Sequence, residues 1–429
     1  MKIALDEVKF ITDNSQDCDK NAYFVCTNSN SKFHSKAREQ GATLISPAKA
    51  KELLGIGKNI KLIGITGTNG KTTTAAIIAS ALENLGFKAG LSGTRGTFLG
   101  EKQIAPKGLT TSQALETLSY LKAAIDVGCE YFVMEVSSHA IAQNRIEGLD
   151  FDLKIFTNLS QDHLDFHKTF DEYARVKSSF FSDETPKLIN KDDKFIKFNP
   201  KNSMTYSLES EADFFVDKFS LKGGIEASIA FKQNSTLKSH LQGKFNLYNL
   251  LAAFGAIKFL TNLDDQKIAD ALGKFEGVEG RVEIVSKNPL VIVDFAHTPD
   301  GIEKVLGALS HDELIVVFGA GGDRDRTKRP IMGKIAQKYA KFTVVTSDNP
   351  RSEEPDFIID EIMAGMSLND KVFRQSDRKK AINLALSLAK NGETIVILGK
   401  GDEPYQEING VKHPFSDKLI AQEIINATK

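Results

Sequence analysis

Residues 61–73 read Lys-Leu-Ile-Gly-Ile-Thr-Gly-Thr-Asn-Gly-Lys-Thr-Thr. The apolar run 61–66 predicts a short buried strand, Gly67 to Gly70 a tight turn, and Lys71-Thr72-Thr73 the mouth of an alanine-rich helix over 75–85. In that geometry the backbone N–H groups of Gly67, Thr68, Asn69 and Gly70 can surround phosphate oxygens. Lys71 adds a point charge, and Thr72 or Thr73 offers a hydroxyl oxygen to Mg²⁺. The usual phosphate-loop pattern has glycine six residues before the lysine; here that position is Ile65, so the turn rests on Gly67 and Gly70. A purely structural glycine turn explains the glycines but not the Lys-Thr-Thr that follows. The stretch reads as an ATP site at the head of an α/β domain.

Outward from it, short β-rich runs alternate with helices. Strands at 131–136 and 153–157, a helix at 113–127 and a further helix through residue 180 predict a mainly parallel sheet covered on both faces. Residues 204–240 suggest a small antiparallel edge, and 246–260 an apolar helix. A smaller first block, 1–57, holds strands at 22–27 and 42–46 and a helix near 35–40. A third, 277–429, repeats the α/β alternation with strands at 290–294, 313–318, 342–346 and 394–398 and helices near 301–309, 331–338, 357–364 and 379–390. The expected domains are therefore 1–57, 58–276 and 277–429. Ligands of open α/β sheets bind at the carboxyl ends of the strands, which here carry polar or glycine residues.

The 429 residues include 41% hydrophobic and 26% charged side chains, with a formal net charge of −1, which gives no reason to expect a nucleic-acid partner. Cys18, Cys26 and Cys129 are too few and scattered for a disulfide framework or thiolate metal site. No run reaches 18 apolar residues, and the amino terminus lacks a cleavable leader pattern, so a cytoplasmic protein without a membrane span is expected.

Several strand exits carry chemistry. Glu135, in Met134-Glu135-Val136-Ser137-Ser138-His139, can hold Mg²⁺ directly or through water, or simply be solvated at a strand end. Asn158, Asp162, His163, Asp165 and His167 crowd the next exit; zinc is a rival there, but thiolates and a His-Glu-x-x-His pattern are missing, and a hard cation or substrate suits the ATP context better. In the third block, Asp294 precedes Phe295-Ala296-His297, and Arg324 lies in a glycine-rich, guanidinium-bearing exit suited to phosphate or carboxylate. Asp348-Asn349-Pro350-Arg351 and Gly399-Lys400-Gly401-Asp402-Glu403 read equally as turns or as a site; their carboxylate, amide and guanidinium suit a zwitterion.

Taken in order, Gly-Thr-Asn-Gly-Lys-Thr, Glu-Val-Ser-Ser-His, Asn-Leu-x-x-Asp-His-Leu-Asp, Ala-His-Thr-Pro, Gly-Gly-Asp-Arg-Asp and Asp-Asn-Pro-Arg resemble the motifs of the Mur ligase family over essentially the whole chain. The resemblance implies a three-domain α/β architecture with an N-terminal UDP-binding domain, a P-loop central domain and a Rossmann-like C-terminal domain. It implies that ATP phosphorylates a substrate carboxylate and an amine attacks the acyl phosphate. The substrates it implies are UDP-N-acetylmuramoyl-L-alanyl-D-glutamate and meso-diaminopimelate, joined by a monomer. Lys71 would neutralise phosphates; Thr72, Glu135, His163 and Lys177, the last as a carbamate, would support Mg²⁺. Asn249, Arg281 and Asp294 match positions around the nucleotide. Ser15, Thr110, Thr111, Ser138 and Arg145 match contacts to the sugar-nucleotide substrate, and Arg324, Asp348, Asn349, Arg351, Gly399 and Glu403 contacts to the amino acid. The chain departs from the family at Asn14 and Gln16, which flank Ser15 in place of Asp and Arg, at Ser112 in place of proline, and at Asp402 in place of histidine. The alternatives within the superfamily are a lysine-adding ligase and folylpolyglutamate synthase; outside it, a nucleotide-binding switch without chemistry.

Overall fold

The computed structural model describes residues 1–231, 234–310, 313–390 and 392–427. The strand Lys61–Thr66 is buried at all but its first residue, as a central parallel strand must be when helices cover both its faces. Gly64 leaves room for aromatic packing: a Cβ there would stand 2.6 Å from Phe151 and 2.9 Å from Phe180, whose rings meet edge to face. The helix Lys71–Asn84 follows directly, and starts earlier than the expected 75 because the backbone turns helical as soon as Gly70 has closed the loop.

Among the described residues this sheet runs, in spatial order, Asn234–Ser239, Ile225–Ala230, Phe214–Ser220, Ser203–Ser207, Lys187–Asn190, Leu153–Phe156, Lys61–Thr66, Tyr131–Glu135, Ala89–Gly93, Gly96–Leu99, Lys102–Ala105. The run from Phe214–Ser220 to Ala89–Gly93 is parallel, and antiparallel ribbons close both edges. The parallel register pairs Ile65 with Glu135 and Thr66 with Phe156, which brings polar strand exits from distant segments to one edge. The expected antiparallel edge at 204–240 is present in Phe214–Ser220, Ile225–Ala230 and Asn234–Ser239, while Ser203–Ser207 joins the parallel run; 232–233 lie outside the described residues. The helix Lys244–Thr261 is buried nearly all round, with Gly255 against Leu188 and Phe214.

The chain divides into two compact units. One comprises Met1–Leu159, Asp171–His240 and Asn246–Phe275; the other Ser160–Phe170, Leu241–Phe245 and Glu276–Lys429. The first unit also contains a separate sheet near the amino terminus, Lys2–Ala4, Phe10–Thr12, Ala22–Val25 and Thr43–Ile45, with its own small core around Phe10, Phe24 and Ala37.

In the second unit the strands Glu283–Lys287, Leu290–Asp294, Thr394–Leu398, Leu314–Phe318, Ala340–Val345 and Val372–Arg374 form one sheet, parallel except for its first edge strand. Alternation along the strands splits the core in two. Ile292, Leu314, Val316, Phe318, Val345, Val396 and Leu398 face the helices Pro299–Ala308, Lys328–Tyr339 and Pro355–Met363. Val291, Val293, Ile315, Val317, Val344, Ile395 and Ile397 face Arg378–Leu388 and Asp417–Ala427. Among the described residues, no helix is long and apolar enough to cross a membrane.

Candidate functional site

The loop after Lys61–Thr66 is built around two positions only glycine fits. Gly67 has φ 153° and Gly70 φ 87°. A Cβ on Gly67 would lie 1.9 Å from Thr157 Oγ1, and one on Gly70 2.5 Å from Asn249 Oδ1. The neighbouring strand exit pins the loop. Thr68 N donates to Asn158 O (2.8 Å), Asn69 N to Asn158 Oδ1 (3.0 Å), and Thr157 Oγ1 and Asn158 Nδ2 to Asn69 O (2.7 and 3.0 Å). Lys71 Nζ donates to the carbonyls of Gly67 and Thr68, each at 2.8 Å, so its charge lies along the loop. Lys177 is not solvent-facing: it is buried, and its Nζ donates to Gly67 O (2.9 Å) and Thr66 Oγ1 (3.3 Å). Behind the loop, Thr74 Oγ1 donates to Asn249 Oδ1 (3.1 Å), whose Nδ2 donates to Asn246 Oδ1 (3.0 Å); Thr73 is buried in the first helical turn.

Glu135 is 2% exposed, so the solvated reading of this carboxylate is set aside. Thr72 Oγ1 donates to its Oε2 (3.0 Å) and Thr94 N to its Oε1 (2.9 Å). Gly93, just before Thr94, makes the room: a Cβ there would stand 2.1 Å from Glu135 Oε1. Thr94 Oγ1 shares a hydrogen bond with Thr110 Oγ1 (3.0 Å). Thr111 Oγ1 donates to Glu135 O (2.9 Å) and accepts from Ser137 N (2.9 Å), and Arg145 Nη1 donates to Thr111 O (3.0 Å). Ser137 caps the short helix Ser138–Ala142, whose first residue, Ser138, is buried. The structure thus joins the phosphate loop, Glu135, Thr110, Thr111 and Arg145 into one hydrogen-bonded system. Ser15 lies just after the strand Phe10–Thr12, buried in the turn Ser15–Asp17; Asn14 Oδ1 accepts from Gln16 N (3.1 Å) and so caps that turn as an aspartate would. Among the described residues no three His, Cys, Asp or Glu side chains form a metal site by themselves; a Mg²⁺ here would draw most of its oxygens from phosphate and water.

The second unit gathers the other set. Asn349 Nδ2 donates to Glu403 Oε2 (2.8 Å), and Lys400 Nζ donates to Asn349 Oδ1 (3.0 Å) and Glu403 Oε2 (2.9 Å). Gly399, at φ 114°, lets the chain pass Asp348, whose Oδ2 would lie 2.4 Å from a Cβ there and is buried without a hydrogen-bond partner among the described residues. Arg351 sits at φ 52° between the hairpin Tyr405–Ile408/Val411–Pro414 and the Gly319–Gly322 turn. Its N donates to Glu407 O (3.0 Å), its Nη1 to Gly322 O (2.6 Å), and its Nε is 3.5 Å from Glu407 Oε2. Beneath them Arg378, fully buried, donates twice to Asp417 (2.8 and 2.7 Å) and once each to Ser347 O and Leu398 O; burial opposes its charge, but the Asp417 carboxylate prevails and raises its pKa. Arg329 forks onto Glu353 (both 2.8 Å) and bonds Gly321 O (3.1 Å), stiffening the glycine turn.

Arg324 is half exposed, 3.9 Å from Asp165. His163, at φ 55°, has its Nε2 3.4 Å from Asp162 Oδ2. Burial would raise Asp162, but His163, His297 and Lys328 outweigh it and hold the carboxyl at about 2. Asp294 accepts from Val282 N (2.7 Å) and Ala296 N (2.6 Å); its burial raises its pKa against the pull of Arg281, whose guanidinium lies 4.4 Å over the Phe295 ring. His163 falls in the second unit and Lys177 and Glu135 in the first.

A family model described as Mur ligase middle domain matches residues 65–257, and one described as Mur ligase, glutamate ligase domain matches 280–401. The UDP-N-acetylmuramoyl-L-alanyl-D-glutamate--2,6-diaminopimelate ligase of Wolinella succinogenes is 50% identical over 96% of this chain and 95% of its own. The chain belongs to the Mur ligase family. The protein of the same name from Helicobacter hepaticus is 46% identical over 96% of this Mur ligase and 91% of its own length. A solved structure bearing that name superposes with a TM-score of 0.70 at 31% identity, covering 97% of this chain and 94% of the other.

Sequence reasoning missed part of this Mur ligase's site. Thr94 carries no motif, and only the glycine before it hints at a close approach. Asn158 is visible as a polar strand exit, but its hold on the phosphate loop needs the parallel register. Lys400 lies inside a recognised turn, and nothing in its spacing shows that its side chain is fully buried.

Proposed function

We propose that this Mur ligase joins meso-2,6-diaminopimelate to the D-glutamate of UDP-N-acetylmuramoyl-L-alanyl-D-glutamate, with ATP cleaved to ADP and phosphate through an acyl phosphate, in peptidoglycan synthesis. Its relatives' names support the reaction, and the second-unit cluster supports the amino acid. Residues 1–57 serve as the UDP-binding domain, 58–276 as the ATP domain and 277–429 as the amino-acid domain, in a cytoplasmic monomer.

In this reading the N–H groups of Gly67–Gly70 and the ammonium of Lys71 hold the β- and γ-phosphates. Thr72 and Glu135, hydrogen-bonded at 3.0 Å, would help hold one Mg²⁺, and His163 is assigned as a ligand to a second. When bound, Mg²⁺ neutralises charge on the phosphoryl group passing to the glutamate carboxylate. The buried position of Lys177 beside Gly67 suits a carbamate, which would replace a cation with an anion able to support that metal. By the family match, Asn249 is assigned to the nucleotide base, and Arg281 and Asp294 to positions used with the nucleotide. Ser15, Thr110, Thr111, Ser138 and Arg145 hold the sugar-nucleotide substrate. The amine of diaminopimelate then attacks the acyl phosphate, forming the amide C–N bond as the C–O bond to phosphate breaks and the nitrogen loses its proton. Arg324, Asp348, Asn349, Gly399 and Glu403 position that amino acid.

The observation that carries the choice of amino acid is the presence of Arg351 on the same turn as Asn349, which bonds Glu403. A guanidinium and a carboxylate complement the distal carboxylate and ammonium of diaminopimelate, whereas lysine brings no distal carboxylate to the guanidinium. Phosphate release with the sugar-nucleotide substrate, ATP and Mg²⁺ tests it. Release with diaminopimelate and a matching tripeptide mass is expected; preference for L-lysine would overturn the specificity, and silence with both the reaction.

A further inference from the structure

We propose that Lys400 is a positioning residue that sets the ammonium-binding geometry of the amino-acid site; the inference rests on the reading of Asn349 and Glu403 given above. Lys400 is fully buried, between two glycines with positive φ, Gly399 (114°) and Gly401 (52°). Both neighbours are confined. A Cβ on Gly399 would meet Asp348 Oδ2 at 2.4 Å and one on Gly401 would meet Phe295 Cβ at 2.8 Å, so the backbone can deliver the lysine stem only inward.

Its ammonium has donors and no acceptor. It spends one on Asn349 Oδ1 (3.0 Å) and one on Glu403 Oε2 (2.9 Å), with the Tyr405 ring 5.8 Å away. Glu407 N also donates to Asn349 Oδ1, at 2.9 Å. Two obligate donors on one side fix the orientation of the Asn349 amide, because only its oxygen can face them. Its Nδ2 is thereby aimed at Glu403 Oε2 (2.8 Å). Oε2 receives both bonds while Oε1 receives none among the described residues, and the Glu403 side chain keeps 15% of its surface. One carboxylate oxygen is tied down and the other presented. Lys400 thus fixes, without touching substrate, the two groups that meet the amino acid.

The test is steady-state phosphate release by the purified full chain, wild type against Lys400→Met, with diaminopimelate and ATP varied in turn. Losing a hydrogen bond to each of two site groups, one of them charged, should raise KM for diaminopimelate about tenfold or more. KM for ATP and kcat at saturation should stay within about twofold. Because Lys400 acts through Glu403, its replacement in a Glu403→Gln background should cost well under the tenfold it costs alone. An unchanged KM for diaminopimelate, a parallel fall in every parameter, or full additivity with Glu403→Gln would each overturn the proposal. If Lys400→Met does not fold, Lys400→Arg, which keeps the charge but displaces it, should raise the same KM, and an unchanged value sinks the idea. Failure of the wild type itself to use diaminopimelate would instead overturn the function on which the inference rests.

Discussion

Replacing Gly93 by alanine is the sharpest test of the ATP-side geometry, because this last residue of its strand, paired with Gly96 across the hairpin turn, lies against the Glu135 carboxylate. The new methyl would begin 2.1 Å from Glu135 Oε1 and 2.8 Å from its Cγ and Cδ. Reaching even 3.0 Å requires a shift of 3.0 − 2.1 = 0.9 Å. A displacement of that size carries the bonds from Thr94 N (2.9 Å) and Thr72 Oγ1 (3.0 Å) beyond hydrogen-bonding range. The side chain can swing, so the stability cost should resemble a mild overpacking, about 1–3 kcal/mol. Catalysis should suffer more, since a misplacement of about 1 Å at a positioned group costs on the order of 10²-fold. Thermal unfolding with phosphate-release kinetics separates the two. Gly93→Ala turning over at the wild-type rate would refute the placement of Glu135 in the reaction, and an unfolded variant would refute the claim that the strain is local.

Lys71→Ala should abolish turnover yet leave the melting temperature within a few degrees; retained turnover would count against the phosphate-loop assignment. Arg351→Ala should raise KM for diaminopimelate about 10- to 100-fold with little change for ATP; equal losses for both would contradict its role. Glu353 is held at about 2, below the ordinary 4.5, chiefly by hydrogen bonds from Arg329, with burial opposing. A folded-state pKa lowered in this way stabilises above pH 4.5 and loses its effect as pH falls toward 2. The difference in melting temperature between wild type and Glu353→Gln should therefore shrink between about pH 7 and about pH 3, and a constant difference would argue against the pair. Lys177→Ala should lose turnover and regain part of it with added short carboxylates; no recovery would leave the carbamate unsupported.

Long central elements were legible because burial on both faces forces continuous apolar runs: Leu290–Asp294 and Thr394–Leu398 fall where the run predicts them. The edge went unread where glycine broke the pattern. Ala89–Gly93 carries Gly90, where a Cβ would press 2.6 Å from Phe132, so its sequence follows the neighbouring ring rather than strand propensity. Lys2–Ala4 and Phe10–Thr12 are too short to show a period at all. Phosphate-loop chemistry was legible because its residues are consecutive. Lys177 was legible only through family resemblance, since its burial depends on a fold that brings the helix Phe170–Ser179 to Thr66 and Gly67.

The fully buried Arg378–Asp417 pair has a consequence for how this chain can vary. Losing either partner strands the other's charge in the interior, at about 3–5 kcal/mol, against a typical domain stability of about 5–15 kcal/mol. A lineage that replaces both with apolar residues must pass through a form with one, and must also find new donors for the Ser347 and Leu398 carbonyls that Arg378 serves. The two positions, 39 residues apart, are therefore tied together, and a single substitution at either ends in a folding defect.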